Sequence, residues 1–107
     1  MAVKELTEEV ATACLNELTD KMGMLDGYDK APFETAIKRA NHWLLGILLK
    51  EPDYVVEAYS LEAGLIVERA RYDLSNSLDI FQKNYGQEIV QVTEDHALTE
   101  WLDNGGL

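Results

Sequence analysis

A single cysteine, Cys14, is all that this 107-residue chain carries. No disulfide can form within it, so the fold must be held by packing, as suits a reducing compartment. Proline occurs twice and the seven glycines are scattered. No glycine-rich phosphate loop can be assembled from them, and no strand pattern precedes any of them. Long hydrophobic runs are missing too. The longest, Trp43 to Leu49, falls far short of the roughly 20 apolar residues that span a bilayer. The opening residues MAVKELTEEV contain no apolar signal core, so the expected compartment is the cytoplasm. Positive charge is the last scarcity: between Asn84 and Leu107 there is no lysine or arginine at all.

What the chain does have is acid and apolar helix formers. Its 20 Asp and Glu against 9 Lys and Arg give a formal net charge of -11, while 47% of residues are apolar. One domain with one modest core fits this length. The abundant Ala, Leu, Glu and Lys lose little rotamer freedom in a helix. Such a charge repels nucleic-acid backbones, which are bound through clustered Lys and Arg. Two readings follow: a surface kept soluble by its charge, or one that meets a basic partner or must not adhere to DNA.

Spacing predicts an all-α protein, a compact bundle of about four helices with a short acidic C-terminal helix or tail. Thr7 can cap a first helix, with Glu8 and Glu9 at its positive end. Val10, Cys14, Leu18 and Met22 then recur every four residues. Gly23, Asp26 and Gly27 mark a loop. Asp29 and Pro32 announce a second helix, whose stripe is Phe33, Ile37, Ala40, Leu44, Ile47 and Leu48, with Trp43 beside it. Lys50-Glu51-Pro52 ends it. A third helix is expected from a cap at Asp53, burying Val56, Tyr59, Ala63, Ile66, Val67 and Ala70. Close helix packing is expected at Gly64, where alanine would favour the helix by about 1 kcal/mol. Ser75, Asn76 and Ser77 supply a break. Leu78, Phe81, Tyr85, Ile89 and Val92 form a fourth stripe, and Thr93 caps a last short helix before the Gly105-Gly106 end. The expected division is therefore a helical domain over 1–92 and a mobile acidic segment over 93–107.

Catalytic and metal constellations do not emerge from this pattern. A Glu-x-x-His pair would put two metal ligands on one helical face, but Arg39 and Thr93 stand three residues before His42 and His96. Cys14 has no histidine placed beside it by any motif and reads as a small core residue. His42, next to Trp43 on a largely buried helix, reads as a satisfied structural histidine rather than a catalytic one. No cofactor is expected. Arg69 and Arg71, two of three arginines, lie two residues apart and so diverge by roughly 200° around a helix. They cannot act as one clamp. One can pair with Glu62, Glu68 or Asp73 while the other faces out, either as a surface ion pair or as an anchor for a partner's carboxylate. Trp101 and Leu102 stand in the acidic tail, either folded back on the domain or ordered by a neighbouring chain.

The run Arg69-Ala70-Arg71-Tyr72, then Asp79-Ile80-Phe81 and Asn84-Tyr85, resembles the third-to-fourth helix junction of tailed-phage head–tail connector proteins (adaptor or head-completion proteins). Tyr28-Asp29 followed by Phe33, Ile37 and Ala40 is similar to that family's second helix. Between Asp73 and Ser77 the chain departs from the pattern, where an aromatic and an Asn-Asp pair are more typical. The resemblance implies a structural virion protein without catalytic activity, made in the host cytoplasm and placed at the head–tail interface. It implies a homo-oligomeric ring, dodecameric by that likeness, which sits on the portal, extends the DNA channel and docks the stopper or tail. Arg69, Arg71, Tyr72, Phe81 and Tyr85 would then shape the junction and subunit contacts. The Gly23–Asp29 loop with Tyr28, and the tail around Trp101, would be portal or tail contacts. Glu94, Asp95 and Glu100 would face the channel and let DNA pass by charge repulsion. The alternative from another class is a small acidic DNA mimic that inhibits a nucleic-acid-binding protein; it explains the charge but not the aromatic density between Arg69 and Tyr85.

Overall fold

The computed structural model describes residues 6–24, 27, 29–48 and 56–103, with side chains to position 98. Five helices follow in order, α1 (Glu8–Lys21), α2 (Ala31–Leu48), α3 (Leu61–Leu74), α4 (Leu78–Asn84) and α5 (Gly86–Asp103), and no strand occurs among the described residues. The all-α expectation is met. Helices α1, α2 and α3 pack on one another, and α4 and α5 close over α3, with α5 also reaching α2. The molecule is elongated, 53 × 29 × 24 Å.

Local chemistry explains the starts of the first two helices. Thr7 caps α1, its hydroxyl accepting from the Val10 amide at 3.3 Å. An Asp29 carboxylate oxygen accepts from the Ala31 amide at 3.1 Å ahead of α2. The apolar stripes meet as expected: Val10, Cys14 and Leu18 from α1, Phe33, Ile37, Ala40, Leu44 and Leu48 from α2, and Ala63, Ile66, Val67 and Ala70 from α3 are all buried. Phe81 of α4 and Val92 of α5 complete this core. Full burial of each Leu, Ile or Phe contributes about 1.5–3 kcal/mol.

The third helix differs from its expected course. It starts at Leu61, capped by Ser60, whose hydroxyl accepts from the Ala63 amide at 3.1 Å and donates to the Glu57 carbonyl at 2.7 Å. Tyr59 has φ 59° and cannot belong to a right-handed helix; its ring is 83% exposed rather than in the core. Asp53, the expected cap, lies outside the described residues, as does the Lys50–Pro52 ending of α2. Val56 is buried, though it precedes the helix. Gly64 serves no close approach either, because a Cβ built there would meet nothing within 4 Å.

The C-terminal third also departs from the expected pattern. Ser75-Asn76-Ser77 does break the chain, with Asn76 in the left-handed region at φ 59°, a conformation asparagine tolerates well. Ser77 does not cap α4 with its side chain. Its amide and hydroxyl instead donate back to the Tyr72 carbonyl, at 2.8 and 3.3 Å. The single fourth stripe is divided at Tyr85 into α4 and α5, while hydrogen bonds continue on either side, Tyr85 to Phe81 at 2.9 Å and Ile89 to Tyr85 at 3.0 Å. Thr93 caps nothing. Its hydroxyl donates back to the Ile89 and Val90 carbonyls, as a mid-helix threonine does, and Val92 and Thr93 lie in one unbroken helix.

Candidate functional site

The five residues Arg69, Arg71, Tyr72, Phe81 and Tyr85 come together where α3 hands over to α4 and α5. Phe81 is fully buried at the centre. Tyr85 stacks on it with ring centroids 5.2 Å apart, Trp43 of α2 meets it edge-on at 5.6 Å, and Tyr72 lies tilted at 5.8 Å. Offset and edge-to-face aromatic pairs contribute roughly 0.5–1.5 kcal/mol each beyond area burial. Asn84 closes the corner by donating to the Tyr72 hydroxyl at 3.2 Å.

The two arginines serve this cluster from different sides. Arg69 places its guanidinium over the Trp43 ring, 4.4 Å from the centroid, and 5.8 Å from that of Phe81. Neither an ion pair with Glu62 or Glu68 nor an outward-facing position describes it. A cation over an indole is stabilising by about 0.5–2 kcal/mol. Burial lowers the Arg69 pKa from its usual value, opposed by the nearby Asp73. Asp73 itself is bonded to Arg39 at 2.8 Å, which ties α3 to α2.

Arg71 turns to Glu68, donating from two guanidinium nitrogens to Oε2 at 2.6 and 3.0 Å, with its guanidinium also 4.9 Å from the Tyr72 ring centre. The other carboxylate oxygen, Oε1, accepts from Lys21 Nζ of α1 at 2.7 Å. Glu68 is only 8% exposed. Burial alone would raise its pKa, but the hydrogen bonds from Lys21 and Arg71 outweigh that and hold the carboxyl below its usual value. The same bonds raise the Lys21 and Arg71 pKa values. Tyr85 is pushed up by burial and by the Glu68 charge beside it. The arrangement is thus a charged staple, α1 to α3 to the α4–α5 corner, with both carboxylate oxygens occupied. It ties α1 to α3 through a single carboxylate.

The remaining candidate residues are elsewhere. Glu94 and Asp95 are exposed on α5, away from the staple. Trp101 and Glu100 lie within α5, but their side chains are outside the described residues, and Tyr28 is outside them altogether. His42 is exposed on α2, outside the apolar stripe. His96 meets Glu62 of α3 at 2.9 Å. Cys14 is buried as expected, and burial with the neighbouring Glu17 pushes its thiol up to about 11, so little thiolate exists near neutrality.

Glu68 as the shared anchor was only partly legible in the sequence. Its i,i+3 spacing to Arg71 is a standard helical pair, whereas Lys21 reaches it across 47 positions that no local pattern connects. Trp43 as the seat for Arg69 left no signal beyond its place beside the α2 stripe. Among the described residues no group of three or more His, Cys, Asp or Glu side chains converges as a metal site requires. No described helix is long and apolar enough to cross a membrane.

The fold and the staple define an all-α bundle, with five helices among the described residues, in a chain of net charge -11. Compared with known proteins, the chain matches no family model, no curated protein and no solved structure.

Proposed function

We propose that the chain is a structural subunit of a tailed-phage head–tail connector, acting by assembly into a ring on the portal that extends the DNA channel and docks the stopper or tail. One observation carries the reading: the Arg69–Tyr85 run that resembles the connector junction folds as a helix junction built from those residues, and from it α5 leads off with an unpartnered outer face. On that face Val90 and Leu98 are 52% and 55% exposed, with Ala97 and Glu94 exposed beside them. The inner face of the same helix carries Ile89, Val92 and His96 toward the bundle. A helix apolar on both faces suits a subunit with neighbours.

A ring formed head to tail needs two different patches that match. The second candidate is a hollow of about 110 Å³ between α1 and α2, lined by Leu6, Ala11, Leu15 and Ile37 with Glu34 and Lys38 at its edge. Val90 and Leu98 from a neighbour would fill it. Asp95 and Glu100 would line the channel, where like charge keeps DNA moving, while Glu94, between Val90 and Leu98, stands on the face turned to the neighbour.

The test uses DNA-filled heads that lack their connector. The expected result is that added protein retains the DNA, and that Asp95→Asn and Glu100→Gln together slow DNA release through the completed channel. Unchanged release would remove the channel role of these acids. DNA that leaks regardless of added protein, together with inhibition of a basic nuclease, would replace the connector reading with that of a DNA mimic.

A further inference from the structure

A groove of about 370 Å³ opens between the C-terminal half of α1, the start of α3 and the start of α5. Leu61, Leu65 and the rings of Tyr59 and Tyr85 give it apolar and aromatic walls. Gly64 leaves it open, since a Cβ there would meet nothing within 4 Å. Its charge is net negative. Three carboxylates, Glu17, Glu68 and Glu88, line it with one ammonium, Lys21, and Arg71 bonded to Glu68 brings the local balance to three negative against two positive.

That ammonium is already committed. Lys21 bonds to Glu68, whose other oxygen is taken by Arg71. The excess negative charge therefore sits with Glu17 and Glu88. Glu88 Oε2 is shielded from solvent and has no hydrogen-bond partner among the described residues. A carboxylate with one oxygen withdrawn from water and without a donor is poorly solvated, and a cation brought against the accessible part of the group offsets that cost. Tyr59, at φ 59° in the turn before α3, lines the same groove and is 83% exposed. An aromatic ring presented next to a carboxylate is the setting in which a guanidinium stacks and hydrogen-bonds at once.

We propose that this groove is a docking site for a basic segment of a partner protein, seating an arginine side chain with its guanidinium on Glu88 and Glu17 and its aliphatic stem along Leu61 and the Tyr59 ring. Charge complementarity selects the occupant. A second copy of this chain, at net charge -11, would approach the same carboxylates against repulsion. The inference stands apart from the connector reading, because it rests on the groove alone.

The experiment is a titration of the full-length ¹⁵N-labelled chain with a blocked peptide carrying one arginine between leucines, and with the same peptide carrying citrulline. The arginine peptide should shift the amides of Ser60, Gly64 and Glu88. Citrulline, which keeps the shape without the charge, should weaken binding by about tenfold. Glu88→Gln should weaken the arginine peptide by a similar factor. Tyr59→Asn, a residue that accepts the same positive φ, should weaken it by about threefold to tenfold through loss of the ring. Equal binding of the citrulline peptide, binding untouched by both variants, or shifts spread along the acidic face of α5 would overturn the proposal. So would concentration-dependent shifts at the same amides without peptide, which would assign the groove to a second copy.

Discussion

Glu68 keeps its charge at 8% exposure because two cations are brought to it from separate helices. The consequences of removing each partner are unequal. Arg71→Met leaves Oε2 without its two donors in a buried place, and we expect a loss of about 2 kcal/mol. Glu68→Gln leaves behind cations that are 40% and 35% exposed at Lys21 and Arg71, able to turn to water, so about 1 kcal/mol is expected. Urea unfolding of the two variants checks the order. The pH dependence follows from the directions of the shifts. The Glu68 carboxyl is held below its usual value of 4.5 when folded, so its contribution is full above that value and is lost as pH falls through the lower folded value. Lys21 is raised above 10.5, so its share is full below that value and is lost as pH rises through the higher folded value. Stability measured by urea midpoint should therefore be insensitive to these groups between roughly pH 5 and 10, and Glu68→Gln should flatten the acid limb.

At the scale of elements, the first two helices were legible because their signals are local: a capping threonine, an aspartate and proline at a helix start, and an apolar residue every third or fourth position. The third begins later than its apolar spacing suggests. Apolar spacing ran back through Tyr59 and Val56, whereas the helix starts where Ser60 can serve two hydrogen bonds at once. The last two failed for a related reason. Thr93 offers cap chemistry to a reader of sequence, but a threonine hydroxyl can equally return to the preceding turn, and tertiary packing of Ile89 and Val92 carries the helix past it. A pair of substitutions separates these cases. Ser60→Ala should lower stability by about 1 kcal/mol through loss of the cap. Thr93→Ala should leave it unchanged or slightly raised, since alanine is the better interior helix residue. A Tm that falls equally for both would restore a helix start at Thr93. The aromatic cluster shows the same division between local and distant. Phe81 and Tyr85 were visible as one stripe, but the seat of Arg69 on Trp43 joins α2 to α3, and no spacing within either helix announces it.

For the whole molecule, the question is what its unpartnered surfaces meet. The outer face of α5 and the α1–α2 hollow lie on different elements, as a head-to-tail interface needs. Both carry apolar residues that a charge would spoil without entering the core. Leu98, 55% exposed, and the half-buried Leu15 are the positions to change. Leu98→Asp and Leu15→Asp should each abolish ring formation while the helical circular-dichroism spectrum is kept, and mixing the two variants should not restore a closed ring. Retention of rings by both variants would place the subunit contact elsewhere. The net charge of -11 acts over the whole surface. It makes isolated subunits repel, so assembly should be favoured by salt in the range where exposed charges are screened.

Native mass spectrometry of the chain mixed with phage portal rings tests the connector proposal most directly. The account predicts that the portal gains mass in steps of 12.1 kDa and saturates at one fixed complement, twelve by the resemblance. A portal whose mass stays unchanged at every excess of added protein, with the chain remaining at 12.1 kDa throughout, would contradict it.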